Sequence, residues 1–168
     1  MITPSYVQTM ARYNAWQNGS LYAAAATLTD GARRLDRGAF WRSIQGTLNH
    51  LLWGDRTWMS RFAGWPKPEL GIGASVAMVD DFATLRAERE QADAGVTAWA
   101  AEVSPEWLGQ DITWFSGAAK REMTGPRWLL VSHMFNHQTH HRGQVHAMLT
   151  AAGARPEDTD LMLLPPRG

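Results

Sequence analysis

Histidine is the residue of this chain best suited to metal chemistry, and four of its six histidines lie between His133 and His141. At about 100° per residue, His133, His137 and His141 fall within an arc of roughly 80° on one helix face. His140 and Gln144 lie beside them. Histidines four residues apart on one helix can bind the same metal ion, because their ring nitrogens reach a common point.

A metal site needs more ligands than one helix supplies here, and His50 is the candidate for the third. The remaining histidine, His146, points away from the others on the helical wheel. His50 lies in the middle of a second predicted helix, and neighbouring helices pack about 8–10 Å apart, so facing imidazoles can share an ion. The expected arrangement has three histidines and one open position, which is the pattern of catalytic sites.

Each of these residues also has a simpler interpretation. A histidine pair on a solvated helix face often binds nothing, and a lone histidine such as His50 is often a hydrogen-bonded core residue. The absence of cysteine and the combination of three histidines favour a metal site. His133 and His140 are consistent with hydrogen-bond partners of the ligands, pocket residues or surface residues. For Asp55, one turn beyond His50, pairing with an arginine is the default expectation and orienting a ligand is the alternative.

The chain contains nine tryptophans, and their positions predict two kinds of role. Those inside predicted helices are expected to pack in the core: Trp16, Trp53, Trp58, Trp99 and Trp128. Those at helix ends or in loops can instead line a pocket or a subunit contact: Trp41, Trp65, Trp107 and Trp114. Packing is the leading interpretation for each of them.

Four long helices must position these side chains. The apolar spacing predicts helices over about Pro4–Asp30, Ser43–Ala63, Asp80–Val103 and Thr124–Ala152. The expected N-caps are Thr3, Asp80 or Asp81, and Thr124, and the expected stops are Gly31, Gly64 and Gly153. Four long helices in 168 residues favour an up-and-down or crossover bundle, so the predicted fold class is all-α.

The remaining segments are connections. Leu70–Val79 is predicted to be a glycine-containing loop. Asp111–Met123 has a short β-like run followed by Gly117, and is predicted to be either an irregular crossover or a small hairpin. The tail from Arg155 to Gly168 is predicted to be a short docked segment. The long third connection favours a crossover before the last helix.

Composition excludes several classes of function. The chain has 168 residues, 16 basic and 16 acidic side chains and no cysteine. Disulfides, thiolate metal sites and a cysteine nucleophile are therefore excluded, and no general attraction to nucleic acid is expected. The longest apolar stretch near the N-terminus, Leu21–Leu28, is far shorter than the about 20 residues of a membrane span. Met1–Arg12 has no leader pattern, so a cytoplasmic location is expected.

Two segments resemble the DinB/YfiT-like superfamily. HMFNHQTHHRGQVHAML, residues 133–149, is similar to the family's C-terminal helix, whose core is a histidine, three residues, a histidine and Arg-Gly-Gln. SIQGTLNHLLWGDRTWMSRF, residues 43–62, is similar to its first ligand segment, and YNAWQN, residues 13–18, fits as well. The match is weakest over residues 64–123.

The resemblance implies one DinB-like domain over residues 1–168, a four-helix bundle that often forms homodimers. It implies a divalent transition metal ion, first of all Zn or Ni, bound by His50, His137 and His141. It places His133 and His140 next to the ligands. For the residues that follow His141, we expect a structural role for Arg142, close helix approach at Gly143, and contact with a ligand or water for Gln144.

The resemblance also implies a function. Characterised relatives include transferases and isomerases that use a low-molecular-weight thiol such as bacillithiol, mycothiol or glutathione. The leading expectation is a metal-dependent transferase with a thiol cosubstrate and a small-molecule substrate. A metal-dependent hydrolase and a non-enzymatic metal- or ligand-binding module are the alternatives, and the sequence leaves open whether the protein is an enzyme. Neither a nucleic acid nor a membrane is expected as a partner.

Overall fold

A computed structural model describes residues 1–117 and 119–166, so parts of the predicted tail and domain, Ala118, Arg167 and Gly168, lie outside the described residues. The fold is mostly helical with one small antiparallel sheet. The α-helices are α1 (Pro4–Ala26), α2 (Asp30–Arg34), α3 (Ile44–Phe62), α4 (Phe82–Glu102), α5 (Pro105–Leu108) and α6 (Arg127–Ala151). Two 3-10 helices cover Ile72–Ala77 and Leu161–Leu163, and the strands are β1 (Asp111–Ser116) and β2 (Arg121–Pro126).

Capping side chains begin three long helices, and two of them, Thr3 and Asp81, are predicted N-caps. Thr3 Oγ1 accepts a hydrogen bond from the backbone N–H of Tyr6 at 3.2 Å and begins α1. Ser43 Oγ accepts from the N–H of Gly46 at 3.0 Å and begins α3. Asp81 begins α4 in the same way. These side chains satisfy N–H groups that have no partner inside the helix, so the sequence identifies these starts.

Two predicted helix boundaries are wrong. Gly31 does not end the first helix: α1 stops at Ala26, and Gly31 lies inside α2, which Thr29 caps. Thr124 does not cap the last helix, because it lies in β2, where its hydroxyl is 2.8 Å from that of Thr113. Strand pairing continues as far as Pro126, so α6 begins only at Arg127.

The connection before α6 is the small hairpin, one of the two predicted alternatives, and it adds a two-stranded sheet to a fold that is otherwise helical, as the predicted fold class requires. Its strands pair from Asp111 with Pro126 to Ser116 with Arg121. Alternation along β1 turns Ile112 and Trp114 inward, where both pack against a cluster of buried apolar residues. The hairpin thereby brings Trp114 to the faces of α3 and α6 that carry the histidines.

The long helices share two apolar clusters. Helix α1 contacts α4 and α6, and α3 contacts α4 and α6. One cluster includes Leu48, Leu85 and Leu149. The other includes Met59 and Phe135. The two clusters occupy opposite ends of each long helix. Buried polar side chains lie between these ends, at the middle level of the helices.

The segment after α6 docks along α1, as predicted. The hydroxyl of Tyr13 donates to the carbonyl of Thr159 at 2.6 Å, and Gln17 Nε2 donates to the carbonyl of Asp158 at 2.9 Å. The N–H of Glu157 donates to Ser20 Oγ at 2.8 Å. Within residues 1–117 and 119–166, none of the helices has the length and apolar character required for a bilayer crossing.

Candidate metal centre

The structure brings His50, from α3, together with His137 and His141, from α6. Each ring offers one nitrogen, and these three atoms lie within 4.8 Å of one another. His50 Nε2 lies 3.1 Å from His137 Nε2. Two imidazoles bound to a tetrahedral ion at about 2.0–2.1 Å hold their nitrogens roughly 3.3 Å apart. The observed separation therefore fits two ligands of one ion.

Hydrogen bonds at the opposite ring nitrogen orient two of these histidines. Ser75 donates its hydroxyl hydrogen to the carbonyl of Ile72 at 2.6 Å, so its oxygen accepts from His50 Nδ1 at 2.9 Å. His141 Nδ1 donates to the amide oxygen of Gln144 at 2.7 Å. Both bonds place the ring proton on Nδ1 and leave the Nε2 lone pair for a metal.

The surroundings keep the cluster neutral. Burial, together with nearby His141, lowers the pKa of His50 to about 3. Burial and the neighbouring histidines lower the pKa of His137 to about 3 as well. Burial also lowers the pKa of His141, although Gln144 acts in the opposite sense. Neutral imidazole is the form that binds a metal.

Two tryptophans hold the His50 ring between them. The Trp41 ring stacks on His50 with centroids 4.1 Å apart, and Trp53 stacks with centroids 5.7 Å apart. His50 is only 1% exposed as a result of this packing. Trp41 precedes α3, so the chain entering the helix shields the site from water.

A glycine lets α3 approach the His137 ring. Gly54 lies one turn after His50, and a Cβ atom at this position would lie 3.1 Å from His137 Cε1. The predicted close approach at Gly143 is wrong, because a Cβ there would meet nothing within 4 Å. The steric contact expected on α6 is instead found on α3.

A large cleft opens beside the histidine cluster. Its volume is about 1230 Å³, and His50 and His137 line one part of it. Helices α3 and α6, the hairpin with Trp114, and residues 67–73, which include the exposed Lys67 and Glu69, form its walls. Other lining residues that bear on its chemistry are Thr57, Trp58, Arg61 and His133. The site combines three imidazoles with room for an organic ligand.

The model of the DinB family matches residues 1–166. The chain belongs to the DinB family. A search of curated proteins gives no match. This membership agrees with the resemblance of the two histidine segments to the family. The matched range also includes residues 64–123, where the motif match is weakest.

The DinB-family structure also assigns contacts to the polar residues near the histidines. Asp55 accepts from Arg89 at 2.5 Å and from Gln138 at 2.6 Å, so it forms the expected arginine pair. Arg142 is buried and donates to Asn14 Oδ1, in line with a structural role. Gln144 Oε1 accepts a hydrogen bond from His141 Nδ1, and the contact with a ligand or water stays a prediction.

The two histidines predicted as neighbours differ in position. His133 lines the cleft beside Trp58, with ring centroids 5.3 Å apart. Loss of water contact and nearby Arg61 lower the pKa of His133. His133 and His140 are both exposed, and His140 Nε2 lies 3.4 Å from Gln144 Nε2. His133 is thus placed to meet a ligand in the cleft, whereas His140 is not among the cleft residues.

Sequence reasoning missed several residues of this DinB-family site. Gly54, Thr57 and Arg61 follow His50 by four, seven and eleven residues, so a helical wheel drawn from His50 would have placed them on its face. Ser75 carried no such signal. It lies in a 3-10 helix inside the predicted loop Leu70–Val79, and only the folded chain brings it to His50.

Proposed function

We propose that this DinB-family chain forms a four-helix bundle that binds a divalent transition metal ion through His50, His137 and His141. Zn and Ni are the first candidates. We propose further that it is a transferase, which joins the sulfur of a low-molecular-weight thiol to an electrophilic small molecule. One observation carries the proposal: three imidazole nitrogens converge beside a cleft of about 1230 Å³.

The donor set suits thiol chemistry supplied from outside the chain. With no cysteine in the sequence, the reacting sulfur must arrive with a cosubstrate. The ion, when bound, would stabilise the thiolate form of that cosubstrate at neutral pH. In the transfer, the thiol proton passes to solvent, the sulfur–carbon bond forms, and the leaving group departs with the electron pair of its bond to carbon.

The chain's own residues would orient the ligands and exclude water. Ser75 and Gln144 hold the Nδ1 protons of His50 and His141, so both rings present Nε2 in one direction. Trp41 and Trp53 cover the two faces of His50. The cleft would hold the electrophile on the side that His137 lines.

Hydrolysis is less well supported by the same site. A water nucleophile needs a general base near the reacting atom. The carboxylate of Asp55, one turn beyond His50, is not free for this role, because it accepts hydrogen bonds from Arg89 and Gln138. His133 is then the candidate base that the cleft retains. Hydrolysis of a substrate without added thiol would favour this alternative, and metal occupancy without turnover would favour a binding module.

Metal content is the first test. Tag-free wild type should carry about one equivalent of a transition metal, and His137→Ala should lose it. His146→Ala is the matched control, because His146 lies on the same helix but outside the three-histidine cluster. If wild-type protein neither retains metal nor takes up added Zn²⁺ or Ni²⁺, the metal centre is refuted.

A thiol-by-electrophile screen with the loaded protein then tests the transferase. Conjugation that requires both metal and thiol supports it, and failure across the panel refutes it while leaving the metal centre intact. The homodimer and the cytoplasmic location stay predictions. Light scattering of the purified protein measures the first, and fractionation of the source cells measures the second.

A further inference from the structure

Arg61 is a cation of the cleft with no carboxylate partner. It lies in the last turn of α3, and its guanidinium carbon is 4.3 Å from the Trp58 ring centroid and 5.8 Å from that of Trp114. Across residues 1–117 and 119–166, no carboxylate oxygen lies within 4.0 Å of its nitrogens. By contrast Arg56, on the same helix, pairs with Glu88 at 2.8 Å.

The aromatic contacts prepare Arg61 for a planar anion. Stacking on a ring face fixes the plane of a guanidinium and leaves its N–H edge for hydrogen bonds. That edge matches both oxygens of a carboxylate. Arg61 is half-buried, so its charge is partly removed from water, and this burial lowers its pKa. A partly desolvated cation without an internal partner favours an anionic ligand.

Thr57 provides a second, independent observation. It is 7% exposed and lines the same cleft, and its buried hydroxyl oxygen has no hydrogen-bond partner among residues 1–117 and 119–166. It precedes Arg61 by four residues, so the two side chains lie on one face of α3. A threonine hydroxyl can donate to a carboxylate oxygen. A carboxylate held by Arg61 would satisfy this buried group.

Helix geometry relates this pair to the histidine cluster. His50, Thr57 and Arg61 share one face of α3, and the Cα atoms of His50 and Arg61 are about 16 Å apart along its axis. A helical side chain leans toward the N-terminus, so the guanidinium lies nearer to His50 than its Cα does. The cleft is therefore lined both by the imidazoles of His50 and His137 and by Arg61, whose guanidinium lies against Trp58 and Trp114.

We propose that Arg61 and Thr57 bind the carboxylate of an organic ligand whose apolar part lies against Trp58 and Trp114. The carboxylate belongs either to the thiol cosubstrate or to the electrophile. That the other end of the ligand reaches the three histidines rests on the proposed function. The carboxylate site itself does not, because it involves none of the proposed metal ligands.

Binding of phenylacetate and of its neutral analogue phenylacetamide, measured by calorimetry, tests the proposal. Wild type should bind the acid about tenfold or more tightly than the amide, as expected for charge-assisted hydrogen bonds. Arg61→Gln should abolish this preference and leave amide binding unchanged. Lys67→Gln is the matched control, because Lys67 lines the same cleft but is exposed. Thr57→Val should weaken acid binding severalfold.

Several results would overturn the carboxylate site. Wild type could bind phenylacetate no more tightly than phenylacetamide, or Lys67→Gln could lose as much of the preference for the acid as Arg61→Gln does. A chelator could also remove the preference while Arg61→Gln leaves it intact. The last result would place the acid on the metal. An Arg61-dependent preference that survives chelation supports the site even if the transferase proposal fails.

Two further probes identify the source of the carboxylate. Mercaptoacetate combines a thiol with a carboxylate, and phenylacetate has no thiol. If Arg61→Gln weakens mercaptoacetate more, the carboxylate belongs to the cosubstrate. If it weakens phenylacetate more, the carboxylate belongs to the electrophile. Unchanged binding of both acids in Arg61→Gln contradicts the proposal.

Discussion

Two clusters of polar residues both draw side chains from α3 and α6, and they differ in whether their hydrogen-bonding groups are paired within the cluster. One is the histidine cluster, His50, His137 and His141. The other, here called the ion network, comprises Asp55, Arg89 and Asp93 with their amide partners. Neighbouring residues of α6 divide between them: His137 faces the cleft, whereas Gln138 bonds to Asp55.

The ion network is paired within the chain. Arg89 lies 2.5 Å from Asp55 and 2.8 Å from Asp93. Asn18 Nδ2 donates to Asp93 at 3.0 Å, and Asn14 Nδ2 donates at 3.2 Å. The network occupies the middle level of the four long helices, between the two apolar clusters. Because its charges find partners inside the chain, its role is to specify how these helices pack.

At the centre of the histidine cluster, ring nitrogens face one another instead of a charged partner, with His50 Nε2 3.1 Å from His137 Nε2. Two of its rings use their Nδ1 protons outward, toward Ser75 and Gln144, and direct their Nε2 lone pairs inward. Lone pairs that face one another need a shared proton or a cation. The comparison teaches that internally paired polar groups support the fold, whereas converging acceptors indicate a ligand.

Asp55→Ala tests the role of the ion network and should have the largest effect on stability. It leaves the buried Arg89 charge and the Gln138 amide without their partner, which should cost about 3–5 kcal/mol of unfolding free energy. Denaturant titration of metal-free protein measures the loss. The control is Glu90→Ala, which removes the exposed partner of Arg86 and should cost about 0–1 kcal/mol. A loss for Asp55→Ala within the control range would refute a structural role for the network.

Ser75→Ala tests whether the histidine cluster depends on its orienting hydrogen bonds. The variant removes the acceptor for His50 Nδ1, and loss of such a partner typically weakens metal binding by about 10–100-fold. Gln144→Leu should have a smaller effect, because water can replace the amide near partly exposed Gln144 but cannot reach buried His50. Competition with a chromophoric chelator measures both affinities.

Ser60→Ala is the matched control for Ser75→Ala. Its hydroxyl also donates to a backbone carbonyl, that of Thr57, but contacts no histidine. Metal affinity should therefore match that of wild type. Equal affinity in Ser75→Ala and Ser60→Ala would show that the His50 ring is held by Trp41 and Trp53 alone.

The sequence predicted the parts of the molecule that local rules determine. The predicted capping side chains Thr3 and Asp81 identified the starts of two long helices. The four-residue spacing of His137 and His141 placed both on one face, and His50 was the histidine available opposite them. Periodicity was sufficient for the caps and for the spacing of His137 and His141, because each of these features lies within a single helix.

Features that depend on contacts between elements were not predictable in the same way. The last helix was predicted to begin at Thr124, but Thr124 is paired within a strand that extends to Pro126. Helix α6 therefore begins at Arg127. The hydrogen bond from His50 to Ser75 joins α3 to a segment that read as a loop. The stacking of Trp41 likewise depends on the path of the chain before α3.

The pH dependence of stability tests a different property of the ion network, namely its excess of carboxylates. Burial raises the pKa of Asp93 from 3.8 to about 6, with Arg89 acting in the opposite sense and Asp55 in the same sense. The folded state therefore binds more protons than the unfolded state between about pH 4 and 6. The contribution of Asp93 to stability is present below this range and is lost as the pH rises through it.

Asp93→Asn isolates this contribution. The amide cannot ionise, so the unfolding free energy of the variant, minus that of wild type, should increase from about pH 4 to 6 and then level off. Denaturant titrations at a series of pH values measure the difference. A constant difference across the range would mean that Asp93 keeps an ordinary pKa in the fold.

The smallest expected effect comes from adding one methyl group at the boundary between the two clusters. In Gly54→Ala the new Cβ would lie 3.1 Å from His137 Cε1, so the ring must move by a few tenths of an ångström. Metal affinity should fall severalfold, which is less than in Ser75→Ala. Alanine is also the better helix former by about 1 kcal/mol, so stability without metal should not fall.

Gly143→Ala sharpens this last test, because it adds the same methyl group to α6 where nothing lies within 4 Å. It should gain stability by up to about 1 kcal/mol and leave metal affinity unchanged. Calorimetric metal titration and denaturant unfolding of both variants separate the two quantities. Equal affinities would mean that His137 tolerates displacement and that the cluster is held mainly by His50 and His141. Lower affinity in Gly54→Ala alone would show that close approach of α3 to His137 sets the geometry of the centre.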